Sequence, residues 1–317
     1  MNPGLPPRLK DAVDALLEGV SRKDLAARAQ AISAHYRAGA GSASAVTSEL
    51  DTLAYVIARL PATYAVARAV LNQVRDAAPD FAPKTLLDAG AGPATASWAA
   101  LETWPGIERA TLTDSNEQFL ALARKLSPMA NASFLAHDLR RDNLPTADLV
   151  VAGYVLAEIS GDAQRAVVEK LLDASLDVLM LIEPGTPEGF ARIRAARDAL
   201  IGQGANVLGP CTHANGCPIV APDWCHFSQR LPRSRDHMHA KGASVPYEDE
   251  RYAWIAVSRA RHSAFEGKAR VLAPPKETKP GKEIKLCTAN GIESAFVPRR
   301  DKDAFARLRK AGWGDVV

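Results

Sequence analysis

The sequence predicts an α/β protein: a Rossmann-like domain with N-terminal helices before it and a β-rich module, organised by cysteines, after it. Three observations predict this class. Apolar residues recur at helical intervals over the first eighty positions, short apolar strands alternate with helices from about residue 84 to 202, and all four cysteines lie beyond residue 210. We therefore predict a helical region over 1–80, a Rossmann-like domain over 81–203, and a cysteine module over 204–317.

The helical region is predicted from periodicity and from its boundary residues. Helices are expected over 8–20, 22–35, 47–60 and 62–78. Ser21 precedes Asp24 at the spacing of an N-cap with an acidic third residue, and Pro61 marks the break between the last two helices.

The central part alternates strands and helices. Strands are predicted over 85–88, 109–113, 132–137, 148–152 and 178–182, with helices between them. Short apolar strands separated by helices indicate a parallel sheet that is covered on both faces. Beyond residue 204, further strands at 252–258, 269–272, 283–287 and 293–297 and a helix at 302–311 suggest a small β-meander or partial barrel.

Composition limits the classes of function. The apolar fraction of 47% and charged fraction of 24% are typical of a globular protein, and no apolar run is long enough for a membrane span. The first residues do not resemble a secretory signal, so a cytoplasmic chain is expected. Residues 1–229 hold 20 Lys and Arg against 25 Asp and Glu, whereas residues 230–310 hold 19 against 10. This asymmetry favours a polyanionic partner for the last third, the alternative being a solvated basic face.

A glycine turn follows the first strand of the central part. Asp88 ends that strand, and Gly90 and Gly92 allow the backbone to approach a ligand where a Cβ would clash. Asp114 and Asp138 end the next two strands, where open α/β sheets bind ligands. Asp114 is placed to accept the hydroxyls of a ribose, and Asp138 is within expected reach of an adenine amine.

This set resembles the class I S-adenosylmethionine-dependent methyltransferases over roughly residues 84–200. A dehydrogenase is the alternative, but the third glycine of the nicotinamide motif is replaced by Thr95. A structural turn without a ligand is the remaining reading. By the resemblance, S-adenosylmethionine is bound by the first motif, the ribose residue and the adenine residue, which are Asp88, Gly90, Gly92, Asp114 and Asp138.

The residues that act on a methyl acceptor are less defined. The loop after the fourth strand, AGYVLAE at 152–158, departs from the Asn/Asp-Pro-Pro-Tyr/Phe loop of amino-group methyltransferases, and the central part has no cysteine for a cytosine C5 mechanism. Tyr154 and Glu158 are the candidates for catalytic contacts with an acceptor. Packing for Tyr154 and helix capping for Glu158 are the alternatives.

The cysteines predict a metal site. Cys211, Cys217, Cys225 and Cys287 supply four soft thiolate ligands, which suit either tetrahedral zinc or a [4Fe–4S] cluster. The spacing lacks the tight knuckles of structural zinc and slightly favours the larger cluster. Four unrelated buried thiols are the alternative.

Several motifs of the last third resemble the Rsm family of methyltransferase-like proteins, and the likeness covers nearly the whole chain. They are CTH at 211–213, GCP at 216–218, DWCHFSQR at 223–230, YEDE at 247–250 and WGD at 313–315. The resemblance implies a [4Fe–4S] cluster on the four cysteines and contact with small-subunit ribosomal RNA. It also implies action at the small ribosomal subunit, by a chain that we expect to be monomeric away from it.

Basic residues beside the cysteines are the candidates for RNA contact, with solvation as the alternative. They are Arg230, Arg233, Arg235, Lys241, Arg299 and Arg300. The leading hypothesis is an S-adenosylmethionine-dependent methyltransferase acting on small-subunit rRNA. The second is a non-catalytic assembly factor that keeps the fold, and the third is a zinc-binding nucleic-acid module.

Overall fold

The structure is a computed structural model that describes residues 4–37 and 45–317. Its N-terminal part consists of helices that pack on one another and on the sheet. Ser48 and Asp51 form a capping box at the start of the third of them, in which each side chain accepts from the other residue's backbone N–H. The helices are α1 (Pro7–Leu16), α2 (Arg22–Arg37), α3 (Glu49–Ala58) and α4 (Leu60–Ala77).

The central part alternates strands and helices as the periodicity predicts. Asn116 and Thr186 cap two of its helices by accepting backbone N–H groups with their side-chain oxygens. In chain order the elements are β1 (Thr85–Ala89), α5 (Thr95–Thr103), β2 (Arg109–Asp114), α6 (Glu117–Leu126), β3 (Ser133–Ala136), β4 (Ala147–Gly153), a 3₁₀ turn (Leu156–Glu158), α7 (Gly161–Ala174), β5 (Ser175–Pro184) and α8 (Pro187–Gly202).

The last third contains short strands around two small helices. Its elements are β6 (Asn206–Gly209), β7 (Phe227–Pro232), α9 (Arg235–Lys241), β8 (Tyr247–Ser258), β9 (Arg270–Val271), β10 (Lys276–Glu277), β11 (Gly281–Thr288), β12 (Gly291–Pro298) and α10 (Lys302–Leu308). The sequence predicts β8, β9, β11, β12 and α10, whereas β6, β7, β10 and α9 lie in segments where it shows no periodic pattern.

The large sheet has the order β3-β2-β1-β4-β5-β8-β6, with β7 paired to β8. Strands β1 to β5 are parallel, and β8 runs antiparallel to β5, β6 and β7. The order reverses beside β1, which is the switch point where doubly wound sheets bind ligands. Five parallel strands in this order, followed by a reversed strand between β5 and the edge strand β6, have the class I methyltransferase topology, so the predicted fold class is confirmed.

One expectation about the last third is wrong. The strand predicted at 252–258 does not join a small meander, because β8 pairs along its length with β5 in the large sheet. Its last seven residues are all buried, as a strand between two neighbours requires. The large sheet therefore continues past residue 204, and the separate small sheet contains only β9 to β12.

The core lies on both faces of the large sheet. One apolar cluster joins the N-terminal helices, α5 and α6 to one face, and a second joins α7 and α8 to the other. A smaller cluster of Val271, Ile284 and Leu286 supports the separate sheet.

No single described helix is long and apolar enough to cross a membrane. Helices α3 and α4 meet that test only as a bent pair, on length and composition, and most of their residues are buried.

Candidate functional sites

The glycine turn after β1 is fixed to the end of β2. Gly90 and Gly92 have φ values of +72° and +52°, in the left-handed region that favours glycine. The backbone N–H groups of Gly90 and Ala91 both donate to the carbonyl of Thr113, at 2.8 and 2.9 Å. The turn is therefore held open against the carboxyl edge of the sheet, at its switch point.

Two buried carboxylates brace this turn. Asp88 accepts from the backbone N–H of Ser97 at 2.9 Å and from its hydroxyl at 2.7 Å, which ties β1 to the start of α5. Asp114 accepts from the backbone N–H groups of Gly92 and Asn116, both at 2.8 Å. Burial raises the pKa of each carboxyl to about 6, against the opposing effect of these hydrogen bonds.

A cavity opens between this turn and the N-terminal helices. Asp88, Gly90, Gly92 and Tyr154 all lie on its wall, so the structure brings together residues that the sequence assigns to cofactor and acceptor contacts. Asp114 adjoins the cavity through its bond to Gly92. The lining from outside the central part comes from Tyr55 on α3 and from Thr63 and Ala67 on α4, which no sequence motif indicates.

Tyr154 has an unusual backbone and an unsatisfied side chain. Its φ of +65° is rare for a residue with a Cβ, and its backbone N–H donates to the carbonyl of Ile182 at 2.7 Å. Its hydroxyl is buried without a hydrogen-bond partner among the described residues. Tyr154 thus combines a strained backbone with a buried, unpaired hydroxyl at the wall of the cavity, and its contact with an acceptor stays a prediction.

Glu158 lies beside the cavity and not on its wall. It belongs to the exposed 3₁₀ turn, and its charge contributes to the raised pKa values of Asp114 and Tyr55. The start of the turn is held by Glu183, a fully buried carboxylate on β5 that accepts from the Leu156 N–H at 3.0 Å and from Arg192 at 2.7 Å.

Asp138 is bound by Arg140 and does not line the cavity. Both of its oxygens accept from Arg140, at 2.7 to 3.2 Å, and this hydrogen bonding lowers its pKa to about 2. It is absent from the described residues that line the cavity. For Asp138 to contact an adenine amine, as predicted, its hydrogen bonds with Arg140 would have to break or rearrange.

A partly buried ion pair beside Tyr154 joins the junction of α3 and α4 to β8. Arg59, at the junction of these helices, donates to both oxygens of Glu250 on β8, at 2.9 and 3.3 Å. Burial opposes the charge of Arg59, but the carboxylate outweighs it and raises the pKa of Arg59 above its usual value. The guanidinium carbon of Arg59 also lies 6.0 Å from the ring centroid of Tyr154. Sequence patterns give no signal for this pair, because its members are 191 positions apart.

The four cysteines converge on a second cavity. Cys211, Cys217, Cys225 and Cys287 all line it, together with Arg197, Phe227 and Trp254 among others. All four are free thiols, and Nε2 of His213 lies 3.7 Å from the sulfur of Cys287. The structure therefore brings together every thiol that the sequence assigns to a metal site.

The thiols lie in surroundings that disfavour free thiolates. Burial raises the pKa values of Cys211 and Cys225 and raises that of Cys287 to about 12, and the neighbouring thiols act in the same direction. Among the described residues, no three His, Cys, Asp or Glu side chains are close enough together to bind a single metal ion.

Most of the basic residues assigned to RNA contact have acidic partners. Arg230 forms two hydrogen bonds with Asp249, at 2.8 and 2.7 Å, and its guanidinium carbon lies 4.3 Å from the ring centroid of Tyr247. Arg233 and Lys241 both pair with Glu248. Burial favours the neutral form of Glu248, but bonds to His237 and Lys241 hold its pKa well below the usual value.

The remaining assigned residues lie in two places. Arg299 pairs with Glu277 at 2.7 Å and lies over Phe305. Arg235 and Arg300 are exposed and have no acidic partner among the described residues. The predicted basic surface is thus largely neutralised beside β7, and its unpaired charge is concentrated near the end of the chain.

The chain was compared with protein-family models. The model described as mitochondrial small ribosomal subunit Rsm22 matches residues 49–317, which is most of the chain. The chain belongs to the Rsm22 family. The match includes all four cysteines, the glycine turn and α3, so the Rsm22 family unit contains both cavities.

Curated relatives agree with the Rsm22 assignment. The human mitochondrial ribosome assembly protein METTL17 is 26% identical over 288 residues, covering 84% of this chain and 62% of the relative. A fission yeast Rsm22-cox11 tandem protein is 22% identical over 352 residues, covering 93% of this chain and 46% of the relative. The chain thus spans about half to three fifths of the length of these relatives.

Two of the solved structures to which this Rsm22-family chain is similar are described as methyltransferases. A putative RNA methyltransferase from Pyrococcus horikoshii has a TM-score of 0.42 and 17% identity, covering 61% of this chain and 84% of that one. Human N-acetylserotonin methyltransferase with S-adenosylmethionine has a TM-score of 0.42 and 17% identity, covering 80% of this chain and 66% of that one.

Proposed function

We propose that this chain is an S-adenosylmethionine-dependent methyltransferase that acts on small-subunit ribosomal RNA and holds a [4Fe–4S] cluster. The observation that carries the proposal is the pairing of two cavities in one fold. One is formed by the glycine turn at the switch point, and the other is lined by all four cysteines of the chain. The relative METTL17 is a ribosome assembly protein, which supports the choice of partner.

The first cavity suits S-adenosylmethionine. Gly90 and Gly92 have no side chains that would keep the cofactor away from the backbone of the turn. Asp114 accepts two backbone N–H groups, and the lone pairs that remain on its carboxylate could accept ribose hydroxyls. When bound, the cofactor supplies an electrophilic methyl group. The chain itself encloses the site beneath α3 and α4 and presents the unpaired Tyr154 hydroxyl to orient an acceptor.

Calorimetric titration with S-adenosylmethionine tests this assignment. We expect one site per chain, weakened by Asp114→Ala because the ribose loses its acceptor and the turn its brace. Asp138→Ala is the matched variant: an unchanged affinity would assign Asp138 to the Arg140 pair alone. Absence of binding to the wild-type chain would contradict the cofactor assignment.

The second cavity suits a metal cluster. Cys211, Cys217, Cys225 and Cys287 would be its ligands, because four free thiols on one cavity, one buried and three half-buried, form the donor set that [4Fe–4S] clusters use. A bound metal would stabilise the thiolates that these surroundings otherwise disfavour. The cluster would cross-link three chain segments, which contain Cys211 and Cys217, Cys225, and Cys287.

RNA contact is assigned to a patch on the separate sheet, which we call the hairpin patch: Lys279, Phe296, Arg300 and Lys302. The Arg299 N–H donates to the Pro280 carbonyl at 2.9 Å, so the turn containing Lys279 lies against the turn containing Arg300. Phe296 is 54% exposed between them. Unpaired cations around an exposed aromatic ring suit a single-stranded RNA segment, with phosphates on the cations and a base on the ring.

Salt-dependent RNA binding tests the hairpin patch. Arg300→Ser should lower the dependence of log affinity on log salt by about 1, as expected for one lost phosphate contact. Arg230→Ser is the control, because Asp249 already neutralises that residue. An equal effect of both variants would contradict the patch.

A non-catalytic assembly factor is the second candidate. The loop at 152–158 departs from the acceptor motif of amino-group methyltransferases, and the hydroxyl of Tyr154 in that loop is buried. The methylation state of small-subunit rRNA from a deletion strain separates the two. Unchanged methylation, together with a subunit assembly defect, would leave the non-catalytic reading.

A zinc-binding nucleic-acid module is the third candidate, and metal analysis of anaerobically purified protein distinguishes it. We also propose that the chain is cytoplasmic and is monomeric away from the ribosome. Sedimentation of the purified chain tests the second statement, and a stable dimer would contradict it.

A further inference from the structure

Two buried arginines lie beside the cysteine cavity, and neutral thiols alone do not explain why cations are buried there. Arg197 on α8 and Arg270 on β9 are 3% and 2% exposed. An unpaired buried cation is costly, so each needs anionic or strongly polar neighbours. The only carboxylate paired with either, among the described residues, is that of Asp198, which is itself 56% exposed.

Arg270 holds three distant parts of the chain beside the thiols. Its Nε donates to the carbonyl of Pro210 at 2.7 Å, directly before Cys211. Its Nη1 donates to Gln73 on α4 at 2.6 Å and to the Gly314 carbonyl at 2.5 Å. Arg270 is also the strand partner of Cys287 in the β9–β11 pairing. One side chain thus adjoins two cysteine segments, the C-terminal tail and the N-terminal helices.

Arg197 holds the loop between the first two cysteines. Its Nη2 donates to the carbonyls of His213 and Asn215, at 3.2 and 2.6 Å, and both of these residues lie between Cys211 and Cys217. Arg197 itself lines the cysteine cavity. Its position fixes the loop that delivers two of the thiols.

Each arginine keeps one buried nitrogen unused. Nε of Arg197 and Nη2 of Arg270 have no hydrogen-bond acceptor among the described residues. A buried donor without an acceptor costs about 1–3 kcal/mol, and more when it is charged. Unused donors beside a set of thiols are explained if sulfur atoms carrying negative charge accept them.

We propose that Arg197 and Arg270 are positioning residues for the metal centre, a role that rests on the proposed cluster. Their carbonyl bonds fix the cysteine segments, and their unused N–H groups would donate to the sulfur atoms of the bound cluster. Four thiolates around a core with about two positive charges leave about two negative charges, which two guanidinium groups offset. The pair therefore stabilises the bound cluster and tunes its reduction potential.

Redox titration of the intact chain, purified anaerobically, tests this role. Arg197→Met and Arg270→Met should shift the midpoint potential to more negative values, because losing a cation and an N–H···S contact disfavours the added electron. Both should release iron to a chelator about 10- to 100-fold faster. Arg197→Lys and Arg270→Lys should move the potential back towards the wild-type value.

Arg68→Met is the matched control. Arg68 is on α4 and donates to Asn72 and Thr103, neither of which belongs to a cysteine segment. Its variant should keep the wild-type potential. Wild-type potential and iron release in both Met variants would overturn the proposal, leaving the arginines as packing residues.

Two other outcomes, a variant that does not fold and a wild-type chain without iron, also bear on this role. If Arg270→Met does not fold, the Arg197 variants decide, because Arg197 fixes one loop and not three segments. If the wild-type chain holds no iron, the cluster proposal fails and the positioning role fails with it. A wild-type chain that holds iron, with the same potential and iron release in both Met variants, overturns the positioning role alone.

Discussion

Gly90 and Gly92 of the glycine turn offer a matched pair of substitutions that separates the cost of backbone strain from the cost of poor packing. Both have positive φ, so alanine at either position costs about 1–2 kcal/mol in the left-handed region. They differ in the space around them. A Cβ on Gly90 would lie 2.2 Å from Cγ1 of Val155, whereas a Cβ on Gly92 would meet nothing within 4 Å.

The expected losses follow from that difference. Gly92→Ala should lower the free energy of unfolding by about 1–2 kcal/mol. Gly90→Ala should lower the free energy of unfolding by a further ~1–3 kcal/mol, because Val155 must move to relieve the steric clash with the new Cβ. Val155 directly precedes the 3₁₀ turn that Glu183 holds, so this shift also disturbs the loop beside Tyr154.

Urea unfolding followed by circular dichroism measures both variants, and calorimetry with S-adenosylmethionine measures their binding. We expect both to lose affinity for the cofactor, since each adds a methyl group to the turn. Equal losses of stability would show that Val155 does not restrain Gly90, and the packing argument for the turn would be wrong.

The remaining predictions use the same unfolding assay and an RNA-binding assay. Arg59→Met should cost about 1–3 kcal/mol because it leaves the half-buried Glu250 carboxylate without its cation, and a double variant with Glu250→Gln should recover part of this; additive losses would argue against coupling. Asp88 and Asp114 have raised pKa values, so the native state binds more protons than the unfolded state between pH about 4 and 6, and stability should fall as pH rises through that window. Asp88→Asn should flatten this fall, and an unchanged slope would exclude Asp88 as a cause. Phe296→Ala should weaken binding of single-stranded RNA by about 1–3 kcal/mol, as for one lost stacked base, while leaving stability nearly unchanged because the ring is 54% exposed; unchanged binding would remove Phe296 from the interface.

The sequence predicts the parallel half of the sheet well because its signals are local. Each strand from β1 to β5 is a short apolar run beside a periodic helix, and the acids at 88 and 114 follow strands that meet at one edge. The turn at Gly90 is likewise predictable, since positive φ requires glycine there. These features need no knowledge of distant contacts.

Long-range pairing explains what the sequence does not predict. Residues 252–258 of β8 form a largely apolar run that suits a buried strand in either sheet, and only its pairing with β5 decides. The same is true of charge, because Arg230 and Arg233 look free until β7 and β8 place Asp249 and Glu248 opposite them. Composition locates basic residues and cannot show which of them are neutralised.

The cysteine cavity lies between these cases. The thiols were identifiable from their number and clustering, but the arginines beside them come from α8 and β9, which no motif connects to Cys211. Their role becomes visible only through buried donors that lack acceptors.

The most direct measurement of the central claim is the iron and acid-labile sulfide content of the chain after anaerobic purification. The claim is that Cys211, Cys217, Cys225 and Cys287 hold one inorganic cluster within their shared cavity. It predicts about four iron atoms and about four sulfides per chain, with both lost in Cys217→Ser. Equimolar zinc without iron or sulfide, or a chain that binds no metal, would contradict it.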